Sequence, residues 1–183
     1  MDIKNIELQA ASGDSEAQYQ LGLMHLYGRN VKLDSHKGFD MLQASAQQGY
    51  AQAATLVSIL YYKGFVGGDH FIKDRINIQI KPSEAYRYCM VAAKAGLRQA
   101  QERLYKIMQA YPEVSGLSKH ENTTQSLQWL KAAADQQLES AQAELLTVSV
   151  DFMQQGQGKA ALSALLIPTL KAQGLSRKAD DRG

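Results

Sequence analysis

The apolar and small residues of this chain recur at helical spacing, in segments that can be laid over one another. Ala17, Leu21 and Met24 lie three or four positions apart, which places them on one face of a helix. Leu42 and Ala46 have the same spacing in the segment that follows. The pattern therefore predicts pairs of consecutive helices and an all-α chain.

These helix pairs repeat along the sequence. Anchor residues of the first two units align at an offset of 36, as Gly13 does with Gly49 and Ala17 with Ala53. After Gly64 an insertion raises the offset by 11, to 47. A repeat of about 20–50 residues indicates stacked units of secondary structure, each packed against its neighbours. We predict one domain over residues 1–175, with units at 13–48, 49–95 and 96–136 and a partial unit at 137–156. Residues 3–11 align with the end of an earlier unit.

Small residues also mark predicted close contacts and turns. Gly22 falls in mid-helix, where glycine costs about 1 kcal/mol relative to alanine, so we expect it to allow close helix packing. The third unit is followed by Gln137, whereas the first two units are followed by glycine. Asp34 or Ser35 is predicted to cap the second helix of the first unit, and Asn122 or Thr123 that of the third.

At these residues the chain resembles the Sel-one-like repeat (SLR) family, which is related to the tetratricopeptide repeats. The SLR unit contains A-x-x-x-L-G-x-x-Y and ends in A-A-x-x-G. The match begins at Ala10 and runs to about residue 150, with His25 at the usual tyrosine and Met41 at a usual aromatic position. The resemblance implies a right-handed α/α superhelical solenoid of about three to four helix pairs, serving as an adaptor in protein complexes.

Composition narrows the class of partner. The 183 residues include 20 Lys and Arg against 18 Asp and Glu, a net charge of +2, which is too balanced to favour nucleic acid. No apolar run is long enough to span a membrane. The N-terminus lacks a hydrophobic signal core, so we expect a cytoplasmic protein, or a periplasmic or secreted one if a signal peptide has been removed.

No motif for catalysis, metal binding or cofactor binding occurs. The four histidines are far apart in sequence, and no phosphate-binding loop or paired-cysteine motif is present. The single cysteine, Cys89, lies on an apolar face and is predicted to be buried. We therefore predict that the chain is not an enzyme and takes no cofactor.

Residues 65–81 form an insertion that the repeat does not explain. Ile76, Ile78 and Ile80 alternate with polar residues, a spacing typical of an extended strand. Insertions in solenoids often emerge on the binding side, so this segment is either an interaction loop or a cover for the helix ends.

The C-terminal segment carries its own predictions. Apolar residues over 157–174 predict a helix that caps the solenoid and ends near Pro168. Residues 176–183 are charged and small and are expected to be disordered. Incomplete units at both ends would also allow two copies to associate.

Two functions remain open. The first is an adaptor that binds a protein or peptide on its concave face and on the inserted loop. In related helical repeats, the first helix of each pair lines that concave face. The second is an immunity or antitoxin protein that blocks a bacterial toxin or effector enzyme, with the insertion in the enzyme's cleft. The candidate partner-binding residues are Gln20, Leu23, Tyr27, Leu56, Ile59, Lys63, Phe71, Ile76, Ile78, Arg103 and Lys106.

Overall fold

The computed structural model describes residues 3–64 and 78–154. Within these ranges the chain forms eight α-helices and one short 3-10 helix, without a β-strand. The helices are α1 Ile3–Ala11, α2 Ser15–Tyr27, α3 Ser35–Gln47, α4 Ala51–Lys63, α5 Pro82–Lys94, α6 Arg98–Ala110, α7 Lys119–Asp135 and α8 Glu139–Gln154, and the 3-10 helix is Pro112–Ser115. The predicted cap at 157–174, the tail at 176–183 and residues 65–77 of the insertion lie outside the described residues.

The helix boundaries follow the sequence repeat. The helices α2 and α4 have 13 residues each and begin 36 residues apart, at Ser15 and Ala51. The helices α4 and α6 also have 13 residues each and begin 47 apart, at Ala51 and Arg98. Each helix packs against the next one in sequence, and α1 packs on α2 as the second half of an earlier pair would. The predicted all-α solenoid is thereby confirmed.

The core lies between successive helices rather than at one central point. Its main cluster joins α2 to α6 through fully buried side chains such as Leu26, Leu42 and Tyr88. A second cluster joins α7 to α8, and a third joins α1 to α2. A first helix therefore buries one side against its neighbours and leaves other positions accessible to solvent. The accessible positions recur with the repeat, as at Glu16, Gln52 and Gln99.

The turns between units keep their geometry even where glycine is lost. Gly49 and Gly96 adopt φ values of +89° and +87°, in the left-handed region that favours glycine. Gln137 stands at the corresponding position of the third unit and also has a positive φ, +60°. Its N–H donates to the carbonyl oxygen of Ala134 at 2.9 Å, as that of Gly49 does to Ala46 at 3.0 Å. The hydrogen bonds of the turn thus hold a glutamine in an unfavourable conformation.

One predicted helix cap is confirmed and one is wrong. Asp34 caps α3, accepting a hydrogen bond from the backbone N–H of Lys37 at 3.0 Å. The cap of α7 is Ser118, because α7 begins about one turn earlier than Asn122 and Thr123 predicted. Asn122 lies inside α7 and donates from Nδ2 to the carbonyl oxygen of Met108. It ties α7 to α6 instead of capping a helix.

Candidate protein-interaction surface

Three first helices, α2, α4 and α6, carry accessible side chains at the same positions of the repeat. We call this set the first-helix face. All of its members are exposed or half-buried, whereas other positions on the same helices, such as Ala17 and Leu21, are buried. Its members are Glu16, Gln20, Leu23 and Tyr27 on α2, Gln52, Leu56, Ile59 and Lys63 on α4, and Gln99, Arg103, Lys106 and Ala110 on α6.

The apolar part of the first-helix face is anchored in the core. Leu23, Tyr27 and Leu56 are half-buried and pack against the main cluster. The guanidinium of Arg29 lies over the Tyr27 ring, 5.2 Å from its centroid. Such a cation–π contact restrains the ring at the surface. These side chains therefore offer apolar contact area that is already positioned, which limits the entropy lost on binding a partner.

The basic part of the face contains an unusual arginine. Arg103 is half-buried, and its Nη1 atom is inaccessible to solvent and lacks a hydrogen-bond partner among the described residues. Burial lowers the pKa of Arg103 from its usual range, because desolvation disfavours the charged form. The neighbouring Glu102 forms a salt bridge with Lys106 instead, since its Oε1 atom accepts a hydrogen bond from Lys106 Nζ at 2.8 Å.

The residue that interacts with Arg103 from α5 is Cys89, the only cysteine of the chain. The Cys89 thiol is fully buried and donates to the carbonyl oxygen of Ala100 at 3.2 Å. Burial raises the pKa of Cys89 to about 12, so the thiol is neutral at physiological pH. It therefore supplies no negative charge to Arg103.

A groove of about 500 Å³ opens at the other end of the described fold, between α1, α2 and α3. The repeat explains why this groove is open. In the second unit, Tyr88 stacks on Tyr61 with ring centroids 6.0 Å apart, and Gln43 Nε2 donates to both hydroxyl oxygens. Met41 stands where Tyr88 stands, 47 positions earlier, and leaves the space unfilled. The groove is lined by Glu7, Ala10, Ala11, Gln18, Leu21, Lys37, Asp40, Met41 and Ala44.

The end of the insertion runs beside α4. Ile78 is half-buried against the main cluster, and its N–H donates to the carbonyl oxygen of Gly64 at 2.9 Å. Ile80 is 50% exposed. The candidate residues Phe71 and Ile76 lie outside the described residues. The isoleucines of this segment thus differ in accessibility, and Ile78 contributes to the core.

Neither a metal site nor a membrane helix is found in the described part of the chain. Residues 3–64 and 78–154 contain no group of three or more His, Cys, Asp and Glu side chains placed to hold a metal ion. Among those same residues, no helix is long and apolar enough to cross a membrane. His25 is buried, and its Nδ1 atom lies 3.1 Å from the carbonyl oxygen of Lys32, whereas its Nε2 atom is buried without a hydrogen-bond partner among the described residues.

Comparison with known proteins identifies the class. The family model of the Sel1 repeat matches residues 15–50 and 115–138, which contain the first unit and α7. A protective antigen of uropathogenic Escherichia coli with an SLR fold has a similar structure, with a TM-score of 0.63 and 24% identity, over 82% of this chain and 29% of that one. A Sel1 repeat protein from Oxalobacter formigenes gives a TM-score of 0.62 and 21% identity, over 80% and 98%. The chain therefore contains Sel1-like repeats and shares the fold of these neighbours.

One curated relative is similar over a shorter stretch. An uncharacterised protein of Neisseria meningitidis serogroup B is 46% identical over 46 residues, which is 25% of this chain and 10% of that protein. The chain thus spans only a small part of this relative's length. This similarity says nothing of the partner.

Two physical features of the structure were not predicted from the repeat register. The register did not reveal that Arg103 Nη1 is buried without an acceptor among the described residues, because its neighbour Cys89 belongs to a different helix, α5. One signal was present: the corresponding residues of the other units, Gln20 and Leu56, are uncharged. The groove was also missed, although Met41 visibly replaces an aromatic residue that the other units keep as Tyr88 and Trp129.

Proposed function

We propose that this chain is a scaffold or adaptor that binds a protein or peptide segment along the first-helix face. Sel1-like repeat proteins generally act in protein–protein interaction and are typically not enzymes. The observation that carries the proposal is the recurring set of exposed and half-buried side chains on α2, α4 and α6. A stack of repeats commonly uses such recurring positions to bind its partner.

The composition of the face fits a peptide or a folded domain. The face combines half-buried aliphatic and aromatic side chains at Leu23, Tyr27 and Leu56 with exposed charged ones at Lys63 and Lys106. Tyr and Arg are enriched among the residues that dominate binding energy at protein interfaces. We assign Tyr27 and Arg103 the largest contributions, and we propose that the inserted segment 65–81 extends the binding surface.

The test is a pull-down from the native host with mass spectrometry. Wild type is compared with the double variant Tyr27→Ala and Arg103→Ala, and with a variant in which residues 65–81 become a short Gly-Ser turn. A matched control, Tyr86→Ala with Arg87→Ala, removes the same residue types from α5. We expect a specific partner to be lost from the first double variant and retained by the control.

The outcomes separate the binding surfaces. A partner lost only with the Gly-Ser variant would place binding in the insertion, and a toxic enzyme as that partner would replace the adaptor with the inhibitor. A partner retained at unchanged affinity by the Tyr27 and Arg103 variant would refute the proposed surface. Circular dichroism must show that each variant remains folded, so that a lost partner reports binding rather than unfolding.

A further inference from the structure

The groove between α1, α2 and α3 is open because the first unit carries smaller residues than the second unit at several lining positions. With the residue of the first unit given first, these pairs are Met41 and Tyr88, Asp40 and Arg87, Ala44 and Val91, and Ala11 and Gln47. Compared with the second unit, the groove therefore lacks chiefly the volume of an aromatic ring and of a basic side chain.

The side of the groove that α2 forms is fixed. Its residues Gln18 and Leu21 are larger than their counterparts in the second unit, and the groove still measures about 500 Å³. Gln18 Nε2 donates to the carbonyl oxygen of Ala10 at 3.3 Å, and Gln18 Oε1 accepts from Gln48 Nε2 at 2.7 Å. This volume lies in the range of roughly 300–1,000 Å³ that is usual for a binding site.

The second unit shows which group occupies the corresponding space. The Tyr88 ring stacks on Tyr61, and its hydroxyl oxygen accepts a hydrogen bond from Gln43 Nε2 at 3.4 Å. The guanidinium of Arg87 lies over the same ring, 4.3 Å from its centroid. The third unit carries another aromatic residue, Trp129, at this position. The repeat thus packs an aromatic ring here, and the first unit lacks one.

The polar residues at the rim of the groove differ in charge from those of the second unit. Glu7 replaces Gln43, and its carboxylate can only accept hydrogen bonds. Asp40 replaces Arg87, so the rim has an anion where the second unit has a cation. Both carboxylates are exposed, and no salt bridge between described residues involves either. With Lys37, the lining holds two anions and one cation, which favours a ligand that donates hydrogen bonds and carries positive charge.

This chain offers no exposed tyrosine of its own to the groove. All nine tyrosines lie within the described ranges 3–64 and 78–154, where each is buried or half-buried. The segments outside these ranges contain no tyrosine, and their phenylalanines, Phe65 and Phe71, have no hydroxyl to donate to Glu7. A tyrosine that enters the groove therefore belongs to another protein.

We propose that the groove between α1, α2 and α3 binds a tyrosine side chain of a partner protein, with Lys or Arg next to that tyrosine in the partner's sequence. The ring occupies the space beside Met41 that Tyr88 fills in the second unit, and a thioether makes favourable contacts with an aromatic ring. The tyrosine hydroxyl donates to Glu7. The basic neighbour pairs with Asp40, where the second unit supplies its own arginine.

This site is separate from the first-helix face. Gln18 follows Glu16 by about 200° of helix rotation, so the groove and the face lie on opposite sides of α2. The proposal therefore adds a second binding site and does not depend on the proposed function.

The test begins with random peptides displayed on phage and selected against the full chain. Soluble Met41→Tyr protein is present in excess, and it removes peptides that bind elsewhere, because its introduced ring fills the groove. We expect the selected sequences to contain a tyrosine with Lys or Arg beside it. A selection that yields no sequence, or sequences without tyrosine, would overturn the proposal.

Synthetic peptides of the selected sequences are then titrated against variants of the groove. Met41→Tyr and Met41→Trp should weaken binding on the order of a hundredfold, because each places a ring of the chain where the peptide's ring must lie. Asp40→Arg should weaken it about tenfold through repulsion of the basic neighbour. The control Leu8→Tyr adds the same residue at a position of α1 that is 71% exposed, and should leave the affinity unchanged.

The hydroxyl is tested by a double-mutant cycle. Replacing the peptide's tyrosine by phenylalanine should weaken binding to wild type by about tenfold, since a hydrogen bond to a carboxylate is lost. Glu7→Leu removes the acceptor, so the two peptides should bind this variant with equal affinity. An unchanged difference between the peptides in Glu7→Leu would contradict the assigned role of Glu7.

A spectroscopic readout reports entry of the ring directly. With ¹³C in the methyl groups of the methionines, a bound aromatic ring should shift the Met41 resonance upfield by its ring current. The resonances of Met90 and Met108, on α5 and α6, should not move. Met41→Leu assigns the signal.

The contrary outcomes are distinct from those of the proposed function. Selected peptides that shift Met90 instead of Met41, or bind equally well with leucine in place of tyrosine, would overturn the proposal. Sedimentation of the chain alone showing a dimer that Met41→Tyr abolishes would assign the groove to a second copy, and would also overturn it. The variant with Tyr27→Ala and Arg103→Ala should bind these peptides like wild type, so failure of either proposal leaves the other standing.

Discussion

The backbones of Gly22 and Gly38 approach so closely that a Cβ atom on Gly38 would lie 2.8 Å from the carbonyl oxygen of Gly22. It would also lie 2.9 Å from the backbone nitrogen of Leu26. Both obstacles are backbone atoms, which cannot move aside as the end of a side chain can. The contact between α2 and α3 is therefore set by the absence of two side chains, as the mid-helix position of Gly22 predicted.

We expect Gly38→Ala to lower the free energy of unfolding by about 1–3 kcal/mol, the usual cost of overpacking. This cost outweighs the roughly 1 kcal/mol that alanine gains over glycine in helix propensity. Urea unfolding followed by the fluorescence of the only tryptophan, Trp129, measures the change. The neighbouring exposed residue supplies the control, because Lys37→Ala should change stability by less than about 0.5 kcal/mol. A Gly38→Ala protein as stable as wild type would contradict the proposed contact.

Filling the groove beside Met41 should stabilise the protein. We expect Met41→Tyr to add about 0.5–2 kcal/mol, the usual gain from filling a cavity, since Tyr88 fills the same place in the second unit. Glu7 lines the groove at the position where Gln43 contacts Tyr88, and offers an acceptor for the new hydroxyl. The melting temperature should rise for Met41→Tyr and fall for Met41→Ala. A fall in both would show that the groove cannot close around a larger side chain.

The sequence predicted the fold because the repeat is carried by residues whose effects are local or periodic. The helices that begin at Ser15 and Ala51 are 36 residues apart, as the repeat offset predicts, and Asp34 caps the helix it was predicted to cap. The cap of α7 was predicted wrongly because its position was inferred by aligning α7 with the shorter second helix of the first unit. The helix α7 has 17 residues where α3 has 13, so the cap lies outside the aligned segment.

The properties of the candidate site depend on contacts between helices, which periodicity does not report. The register places Arg103 on the first-helix face, but the lack of an acceptor emerges only when Glu102 is found paired with Lys106 and Cys89 is found buried. Likewise, the groove is present because Met41 is smaller than the tyrosine at the corresponding position of the second unit, Tyr88. The periodicity of apolar residues reports which side of a helix is buried, and it does not report cavities or unpaired polar groups.

The cap of α7 can be tested against the cap that the sequence predicted. Ser118 Oγ accepts from the backbone N–H of Glu121 at 3.3 Å, and Glu121 Oε2 accepts from the backbone N–H of Ser118 at 3.0 Å. We expect Ser118→Ala to cost about 1 kcal/mol of unfolding free energy. Thr123→Ala should cost less than about 0.5 kcal/mol, because the Thr123 hydroxyl only bonds within the helix. The reverse order would contradict the observed start of α7.

The same capping box predicts a pH dependence. Hydrogen bonds from the Ser118 side chain and backbone lower the pKa of Glu121 from its ordinary value of 4.5. A carboxyl whose pKa is lowered by folding stabilises the protein above its unfolded pKa, and this stabilisation is lost as the pH falls through its folded pKa. Unfolding curves of wild type and Glu121→Gln should therefore differ near neutral pH and converge below the ordinary glutamate pKa. A constant difference across that range would rule out this contribution.

The buried thiol provides a probe of how the solenoid opens. Cys89 is fully buried between α4, α5 and α6, and burial raises its pKa to about 12. At pH 8 the thiolate fraction is then about one in ten thousand, and reaction with a disulfide reagent such as DTNB requires opening of the structure. The comparison is a variant with both Cys89→Ser and Ser83→Cys, which carries its only thiol at an exposed position of the same helix. We expect the native protein to react at least about a thousandfold more slowly than this variant. Denaturant should abolish the difference. Fast labelling of Cys89 in the native protein would mean that the contact between α5 and α6 is open in solution.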